Sequence, residues 1–370
     1  MTQTTVEREQ VVAFRLRRHR LHQRGELRQA AATAPQNSPQ GSAVLALRAR
    51  ADVDAAHVAK AVEADRTLVQ LWSLRGTPCL VNSDELPLFS TGLLPDDEES
   101  WRAQLPGFLP TLDAMGRSAS ATMELVIAAT RDALDGRALT LRELGRALAP
   151  RLPAEFAPWT EPGLFCSLTA VLARAASLTG EFAIVPRKSG EVAVLRADQW
   201  LSRPAADRSA RAGLVRRYLS LYAPTTCADF AAWAGVSRHY AGRSWALVEP
   251  ELTEIRYAAG PRYALTADVP ELTLGGAPPG IRLLAPYEPL LQSRDRDTLV
   301  PDAAIRDEIW PGADGPGVVL DGGEVAGLWR RRGTTLAITA AQAVDQEAVL
   351  AEARPYADLS GCLEVEISRC

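Results

Sequence analysis

The segment between residues 213 and 248, GLVRRYLSLYAPTTCADFAAWAGVSRHYAGRSWALV, constrains the fold of this chain most strongly. It predicts a helix that ends before Pro224, then a short helix, capped by Thr225 or Thr226, that ends at Gly235. A three-residue turn leads to a second, longer helix. Two helices joined by a glycine-containing turn form a helix-turn-helix unit, whose best-known use is docking on duplex DNA.

An earlier segment has the same layout. Residues 125–134 predict a helix with one apolar face, and Thr140 caps the next helix in a capping box with Glu143. The stretch 162–179 is long enough for a recognition helix. Two short strands, EFAIVP and EVAVL, follow and are joined by the basic tip 187–190, so the segment predicts a winged helix. Helix pairs with a hairpin also occur in proteins that never touch nucleic acid.

Length and composition limit the class of protein. A chain of 370 residues suits about two or three domains, and no apolar run is long enough to span a bilayer. The start, MTQTTVEREQ, carries acidic residues and no apolar signal core, which predicts a cytoplasmic protein. The five cysteines and four histidines show no metal-ligand spacing, so we expect no metal and no cofactor. No heptad pattern indicates a dimerisation helix, and we expect a monomer.

The net charge of −4 argues against a protein that coats nucleic acid non-specifically. The distribution of arginines matters more, because a cationic groove can exist within an acidic molecule. Arginines crowd three places in the sequence: Arg15, Arg17, Arg18, Arg20, Arg24 and Arg28; Arg294 and Arg296; and Arg330, Arg331 and Arg332. Since the chain has only two lysines, many of these arginines could equally fill ordinary surface roles. Asp295, between two arginines, fits an ion-pair organiser better than a catalytic base.

The remaining sequence predicts a coarse order of elements. A helix over residues 6–23 precedes the proline-punctuated loop APQNSPQGS and a helix through AVLALRARA. A further helix is predicted over AAHVAKAVEADRTLVQLWSL, followed by a strand at CLVN. From Gly280 onward the pattern favours strands, with turns at DGG and RG, until a final helix, AVDQEAVLAEARPYADL, closes the fold.

Four stretches resemble, in the right order, landmarks of one known family. LVQLWSLRGTPCLV looks like "lv..w.mRGTlHlv", and LVRRYLSLYAPTTCADFAAWAG looks like "YL..yGP.t..Dfa.W.G". LLAPYEPLLQSRDRDTLVP looks like "LLp.fDp.l.g..dR..l.p", and DGGEVAGLWRRR looks like "dG.vvG.W". Each motif is degenerate, but four in order over essentially the whole chain are specific. On these landmarks the chain resembles the AlkZ/YcaQ-type winged-helix DNA glycosylases.

The resemblance implies an α+β, mainly α fold: three tandem winged-helix domains, each a helix-turn-helix plus β-hairpin, around a concave DNA-binding surface. We expect domains at residues 1–117, with the catalytic loop, at 118–205, and at 206–370, with the β-rich hairpin region. The resemblance also implies excision of alkylated purines from double-stranded DNA, including bulky 7-alkylguanines and interstrand crosslinks. Some members are self-resistance proteins of bacteria that make a DNA alkylator.

The family's catalytic signature is a Gln-apolar-Gln motif or a Gln/Asp variant. The matching loop here reads PQNSPQ, residues 35–40, and its first glutamine, Gln36, corresponds to the motif. Its partner is Asn37, Ser38 or, at the far end of the loop, Gln40. The chain departs from the family pattern in this loop, at Cys79, where many members have His, and at Glu288, where many have Asp.

These residue types suit one reaction. Alkylation of a ring nitrogen makes a purine cationic, so its glycosidic bond is weakened and the departing base needs no strong general acid. Neutral amides such as those of Gln36 and Asn37 can orient a water molecule by donating and accepting hydrogen bonds. Neither lysine lies in a recognisable nucleophile setting, so we expect a monofunctional glycosylase without lyase activity.

We expect the catalytic residues to be Gln36, Asn37 and Ser38. We expect DNA contacts from Arg15, Arg18, Arg20, Arg24, Gln40, Arg75, Arg294, Arg296, Arg330, Arg331 and Arg332. Two alternatives remain open from the sequence: a non-catalytic winged-helix regulator, and a protein that sequesters the alkylating drug. A regulator would read paired half-sites as a dimer, and a sequestering protein would not need the arginine clusters.

Overall fold

The computed structural model describes residues 4–156, 168–186, 191–201, 207, 209–258, 260–276, 280–312, 315–341 and 343–369. The stretch 157–167, within which the predicted recognition helix begins, and the basic tip 187–190 lie outside the described residues. Within the described ranges, no helix combines the length and the hydropathy needed to cross a bilayer.

The α-helices are, in chain order, α1 (Arg8–Arg18), α2 (Leu27–Ala31), α3 (Ser42–Arg48), α4 (Ala55–Glu63), α5 (Leu86–Phe89), α6 (Glu98–Gln104), α7 (Leu109–Ala114), α8 (Ala119–Ala133), α9 (Leu141–Leu148), α10 (Leu168–Ser177), α11 (Ala197–Leu201), α12 (Ala210–Tyr222), α13 (Cys227–Ala234), α14 (Arg238–Ala246), α15 (Val269–Leu272), α16 (Arg296–Leu299), α17 (Ala303–Ile309) and α18 (Gln346–Leu359). The strands are β1 (Thr4–Thr5), β2 (Leu68–Trp72), β3 (Pro78–Asn82), β4 (Leu139–Thr140), β5 (Phe182–Pro186), β6 (Val192–Arg196), β7 (Leu252–Arg256), β8 (Pro261–Leu265), β9 (Ile281–Leu284), β10 (Gly317–Asp321), β11 (Glu324–Arg332), β12 (Thr335–Ala340) and β13 (Glu364–Arg369).

The chain divides into two compact units. The first comprises residues 1–59, 216–230 and 248–370, and the second comprises residues 60–215 and 231–247. The mixture of helices and strands agrees with the predicted α+β class.

The second unit contains a sheet with the strand order β3-β2-β5-β6-β4. Helix α8, strand β4, helices α9 and α10 and the antiparallel pair β5–β6 follow one another as predicted for a winged helix. The predicted capping box is present: Glu143 N–H donates to Thr140 Oγ1 (3.2 Å), and Thr140 N–H donates to Glu143 Oε2 (2.7 Å). Apolar side chains of these helices and strands form its core, among them Met123, Leu172 and Phe182.

The first unit is built on a five-stranded sheet with the order β13-β12-β11-β10-β9, in which β12 and β13 pair in parallel. Successive side chains of a strand point to opposite faces, so the sheet supports two apolar layers. Trp329 and Ile338 belong to the layer that includes Tyr356 of α18. Val318 belongs to the other layer, with Leu16 of α1. A separate three-stranded sheet has the order β1-β7-β8.

The opening motif of the sequence forms the predicted succession of helices α12, α13 and α14, followed by the hairpin β7–β8. Thr226 caps α13, since its hydroxyl accepts from Asp229 N–H (3.1 Å), and Ser237 caps α14 in the same way through Tyr240 N–H (3.0 Å). Gly235 lies in the turn with a φ of +76°, and a Cβ there would come within 2.6 Å of Arg75 Cα. Conformation and close approach therefore both require glycine at this position.

Three predicted elements were wrong in extent or type. The first helix ends at Arg18, because Arg20 takes a left-handed conformation with a φ of +57°. The helix predicted to run to residue 74 ends at Glu63, and LVQLW forms strand β2, paired with β3. The final helix does not close the fold, since β13 follows it and adds an edge strand to the sheet.

Candidate active site and DNA-contact surface

The loop PQNSPQ lies between α2 and α3, and its shape is fixed by Asn37 and Ser42. Asn37 Oδ1 accepts hydrogen bonds from Gly41 N–H (2.8 Å) and Ala43 N–H (3.4 Å) at the start of α3. Ser42 Oγ donates to the carbonyl oxygen of Gln36 (2.8 Å). Asn37 was predicted to be catalytic; in the structure its amide oxygen accepts hydrogen bonds from the backbone at the start of α3, and its catalytic role stays a prediction.

Gln36 is partly exposed on the same loop. Its Nε2 donates to the carbonyl oxygen of Ser38 (2.9 Å), and no hydrogen bond from the described residues reaches its Oε1. This arrangement holds the amide plane while leaving Oε1 able to accept a hydrogen bond from water. Ser38 and Gln40 are exposed.

A surface cleft of about 400 Å³ lies beside the loop, and we refer to it as the loop cleft. The segment Pro39–Ser42 forms one part of its wall, and Arg330 and Arg331 of β11 form another. The structure thus brings Gln40 together with two arginines almost 300 residues away, all predicted as DNA contacts. The other lining residues are Leu45, Pro286, Tyr287, Gly315, Pro316, Trp329, Leu359 and Ser360.

The three arginines at the end of β11 line two different concavities of the surface. Trp329 is buried, and its indole N–H donates to the Leu284 carbonyl oxygen (2.9 Å), as expected for a core residue. Arg330, Arg331 and Arg332 are exposed. Arg332 does not line the loop cleft; together with Arg330 it lines a larger depression of about 790 Å³. Arg330 is therefore shared by the two concavities.

The arginines near the N-terminus are ion-paired within the first unit, which corrects the predicted cationic groove there. Arg15 is fully buried and forms a bidentate ion pair with Asp295 (2.8 and 2.9 Å), so its guanidinium cannot reach DNA. Other described pairs with an acidic partner are Arg8 with Glu324, Arg17 with Glu271, Arg18 with Asp268 and Glu271, and Arg24 with Glu352 and Asp52. Arg20 is exposed.

The other arginines that were predicted to contact DNA lie in different surroundings. Arg296 is exposed and lies 4.6 Å from the centroid of the Trp310 ring. Partial burial and the neighbouring Arg294 lower the pKa of Arg296. Arg294 is partly exposed. Arg75, in the second unit, donates to the carbonyl oxygen of Trp233, so at least part of its hydrogen-bonding capacity serves the fold.

A buried ion pair supports the turn that borders the loop cleft. Arg50, just after α3, pairs with Glu288, and both side chains are completely buried. Arg50 Nη1 also donates to the Ala46 carbonyl oxygen (2.7 Å). Nearby His19 is buried with its ring edge-on to Tyr222 (5.1 Å between centroids). Burial, with the Arg50 and Arg15 guanidinium groups, lowers the pKa of His19 well below its usual value, so the ring is neutral.

Asp295 should make the unit sensitive to acid. Burial raises its pKa, but Arg15, the Ser293 hydroxyl and Arg262 outweigh this effect, so the pKa of Asp295 lies below its ordinary value. A depressed folded-state pKa contributes stability that is present above the unfolded pKa, about 3.9, and is lost as the pH falls through the folded value. We expect the free energy of unfolding, measured in urea, to fall below about pH 4. In the Asp295→Asn variant the free energy of unfolding should fall less steeply as the pH decreases. An equally steep fall would contradict Asp295 as the group whose protonation lowers stability.

A family model, described as DNA glycosylase AlkZ-like, matches residues 5–359. The chain belongs to the AlkZ-like DNA glycosylase family. The family's name states its activity, DNA glycosylase, and hence its substrate, DNA. Strand β13 lies beyond the matched residues.

One solved structure has the same fold as this AlkZ-like chain. The Streptomyces sahachiroi DNA glycosylase AlkZ is similar to it with a TM-score of 0.80 and 21% sequence identity, over 99% of this chain and 100% of that chain. At this level of identity the likeness shows a shared fold. A comparison with curated proteins finds no match.

The sequence predicted the loop and the β11 arginines as parts of the site of this AlkZ-like chain, but it gave no prediction for Tyr287, which lies beside them in the structure. The tyrosine lies within LLAPYEPLL, one of the four landmarks, and it lines the loop cleft. Its φ of +62°, uncommon for a residue other than glycine, has no signature in the sequence. A signal was present nonetheless: an aromatic residue between two prolines in a landmark motif.

Proposed function

We propose that the chain is a monofunctional DNA glycosylase that excises alkylated purines, including bulky 7-alkylguanines, and that it unhooks interstrand crosslinks. One observation carries this proposal. The described residues lining the loop cleft include amide, hydroxyl, aromatic and arginine side chains but no carboxylate, histidine or lysine. Among the described residues, such a lining offers no carboxylic acid, imidazole or ammonium group to protonate the base and no amine for a Schiff base, and it therefore suits a base that leaves without strong acid catalysis.

In the proposed mechanism the attacking water is positioned by the amide of Gln36, which lies on the loop beside the cleft and is not one of the residues that line it. Its Oε1 accepts a hydrogen bond from the water, and its Nε2 is held by the Ser38 carbonyl oxygen. The cationic purine departs as a neutral molecule while positive charge develops on the sugar, and the water that adds to the sugar carbon releases a proton to solvent. Holding water beside the sugar carbon lowers the entropic part of the barrier. An undamaged purine leaves as an anion and gains little from such a site.

Crosslinks are included because the site is a cleft at the surface. A crosslinked base is tied to the opposite strand and cannot swing freely into an enclosed pocket. A cleft beside an exposed loop can act on a base that stays near the duplex. We also propose three tandem winged-helix domains divided near residues 117 and 205, a monomeric enzyme, and a role in self-resistance to a DNA alkylator.

The experiment that tests this function uses the purified full chain and duplexes carrying 7-methylguanine, a bulky 7-alkylguanine or a guanine crosslink. Alkaline cleavage after incubation scores abasic sites, and omitting the alkali scores lyase activity. The proposal expects abasic product from the alkylated duplexes, no strand cleavage without alkali and none from undamaged DNA. Binding without base release on every lesion would instead identify a regulator or a damage sensor.

We expect Arg330 and Arg331 to contact phosphates. Each phosphate neutralised releases counterions, so each contact contributes about one to the slope of log affinity against log salt. Arg331→Ala should weaken binding to damaged and undamaged duplexes alike and lower the slope by about one, and the double variant with Arg330→Ala by about two. Fluorescence anisotropy at several salt concentrations measures both quantities. Arg354→Ala, which removes an exposed arginine of α18 outside the loop cleft, is the charge-matched control; an equal fall in its slope would contradict the contact.

A further inference from the structure

Tyr287 lies in the turn after β9, where it borders two concavities. It lines the loop cleft together with Gln40 and Arg331, and it also lines a narrow crevice of about 130 Å³ with Trp310 and Arg296. The residue is partly exposed. Its backbone has a φ of +62°, in the left-handed region that favours glycine.

Contacts on both sides of Tyr287 hold this turn in place. Glu288 N–H donates to the Ala285 carbonyl oxygen (3.2 Å), and the Glu288 carboxylate forms the buried pair with Arg50. The next residue, Pro289, accepts a hydrogen bond from the Tyr222 hydroxyl (2.6 Å). An unfavourable conformation persists only where its surroundings determine it, and such positions are concentrated at functional sites. The turn is therefore a rigid mount for the tyrosine.

Among the described residues that line the cleft, Tyr287 is the aromatic side chain that is available to a ligand. The other aromatic lining residue, Trp329, is 3% exposed and committed to the core through its hydrogen bond to the Leu284 carbonyl oxygen. The polar segment Pro39–Ser42 and the two arginines line the same cleft. An aromatic surface in a cleft with polar and cationic groups suits a planar base whose sugar-phosphate is held by the arginines.

We propose that Tyr287 is the aromatic surface on which the purine to be excised stacks, and that it selects alkylated over undamaged purines. This inference rests on the proposed function. Stacking on an aromatic ring accepts any base, but a cationic ring system is attracted more strongly, because the face of the tyrosine ring is electron-rich. A 7-alkylpurine carries the positive charge that an undamaged purine lacks.

The attraction between the cationic base and the tyrosine ring should affect binding of the lesion and not the chemical step. The positive charge leaves the base as the glycosidic bond breaks, so its attraction to the tyrosine is greatest before the reaction. An interaction that is not strengthened in the transition state affects binding and not the chemical step. Loss of the ring should therefore weaken the affinity for the lesion and leave the single-turnover rate at saturation unchanged or slightly raised.

The test compares Tyr287→Phe and Tyr287→Gly with wild type. Phenylalanine keeps the ring, and glycine removes it while accepting the positive φ, so both variants should fold and the glycine variant should not be less stable. Binding is measured by anisotropy on duplexes carrying 7-methylguanine in its 2′-fluoro-arabino form, which resists hydrolysis, and on the undamaged duplex. Single-turnover excision of ordinary 7-methylguanine provides the rate.

We expect Tyr287→Gly to lose about tenfold or more in affinity for the lesion duplex, because stacking on an aromatic side chain contributes on this scale. Affinity for undamaged DNA and the saturated excision rate should stay near wild type, and Tyr287→Phe should behave as wild type. Equal losses on both duplexes, or no loss in Tyr287→Gly, would overturn the inference while the glycosylase assignment stands. Absence of excision by wild type would instead reject the proposed function.

Discussion

Gln36→Ala should lower the rate of base release by about 100- to 1000-fold, the scale seen when one positioned hydrogen-bonding group is removed from a catalytic site. The residue donates to the Ser38 carbonyl oxygen (2.9 Å) and thereby presents its Oε1 in a fixed orientation. Alanine removes the group that would hold the water. The truncated side chain is partly exposed and caps no helix, so we expect the fold and DNA affinity to remain near wild type.

Asn37→Ala should lower stability more, and the rate of base release less, than Gln36→Ala, although the two residues are adjacent. Asn37 Oδ1 accepts from the amides that open α3, and loss of such a cap destabilises by about 1 kcal/mol. The loop would loosen, so the variant should show lower stability with a smaller fall in rate. Single-turnover excision of 7-methylguanine, beside urea unfolding of each variant, separates the two outcomes.

Gln40→Ala is the matched control for Gln36→Ala, since it removes the other glutamine of the loop and one that lines the loop cleft. We expect it to weaken DNA binding and to spare the chemical step. If Gln40→Ala abolished excision and Gln36→Ala did not, the catalytic amide would be Gln40, and the correspondence of Gln36 with the family motif would be wrong.

Local signals in the sequence identified most elements correctly. The predicted caps at Thr140 and Thr226 act within three residues, so the sequence alone contains the donor and the acceptor. Strand β2 was mistaken for helix because LVQLW is apolar enough for either form, and its pairing with β3 and β5 decides the outcome. Pairing between distant segments cannot be read from a local period.

The arginines show the same limit at the candidate site. Sequence proximity grouped Arg15, Arg18 and Arg24 with the catalytic loop, but each is paired with an acidic residue about 250 to 330 positions away. The pairing of Arg15 with Asp295 agrees with the role of ion-pair organiser predicted for that carboxylate. The run Arg330–Arg332 stays exposed because the end of β11 extends beyond Gly317, the first residue of β10.

Replacing Glu288 by alanine should destabilise the chain by about 3–5 kcal/mol, since it would leave the Arg50 charge buried and uncompensated. Both side chains are completely buried. Each residue of the pair lies next to a segment that lines the loop cleft: Arg50 follows α3, and Glu288 follows Tyr287. Arg50→Met should destabilise to a similar extent. Urea unfolding of each variant measures the loss.

The double variant Arg50→Met with Glu288→Leu distinguishes an ion pair from two independent core residues. Replacing both charges by apolar groups of similar volume removes the uncompensated charge, and such replacements are often neutral. We expect the double variant to be markedly more stable than either single variant, with a coupling energy of several kcal/mol, and to retain excision. Additive losses would show that the two residues act separately. Glu288→Asp should be the mildest single change, because it keeps a carboxylate to pair with Arg50 and shortens the side chain by one methylene.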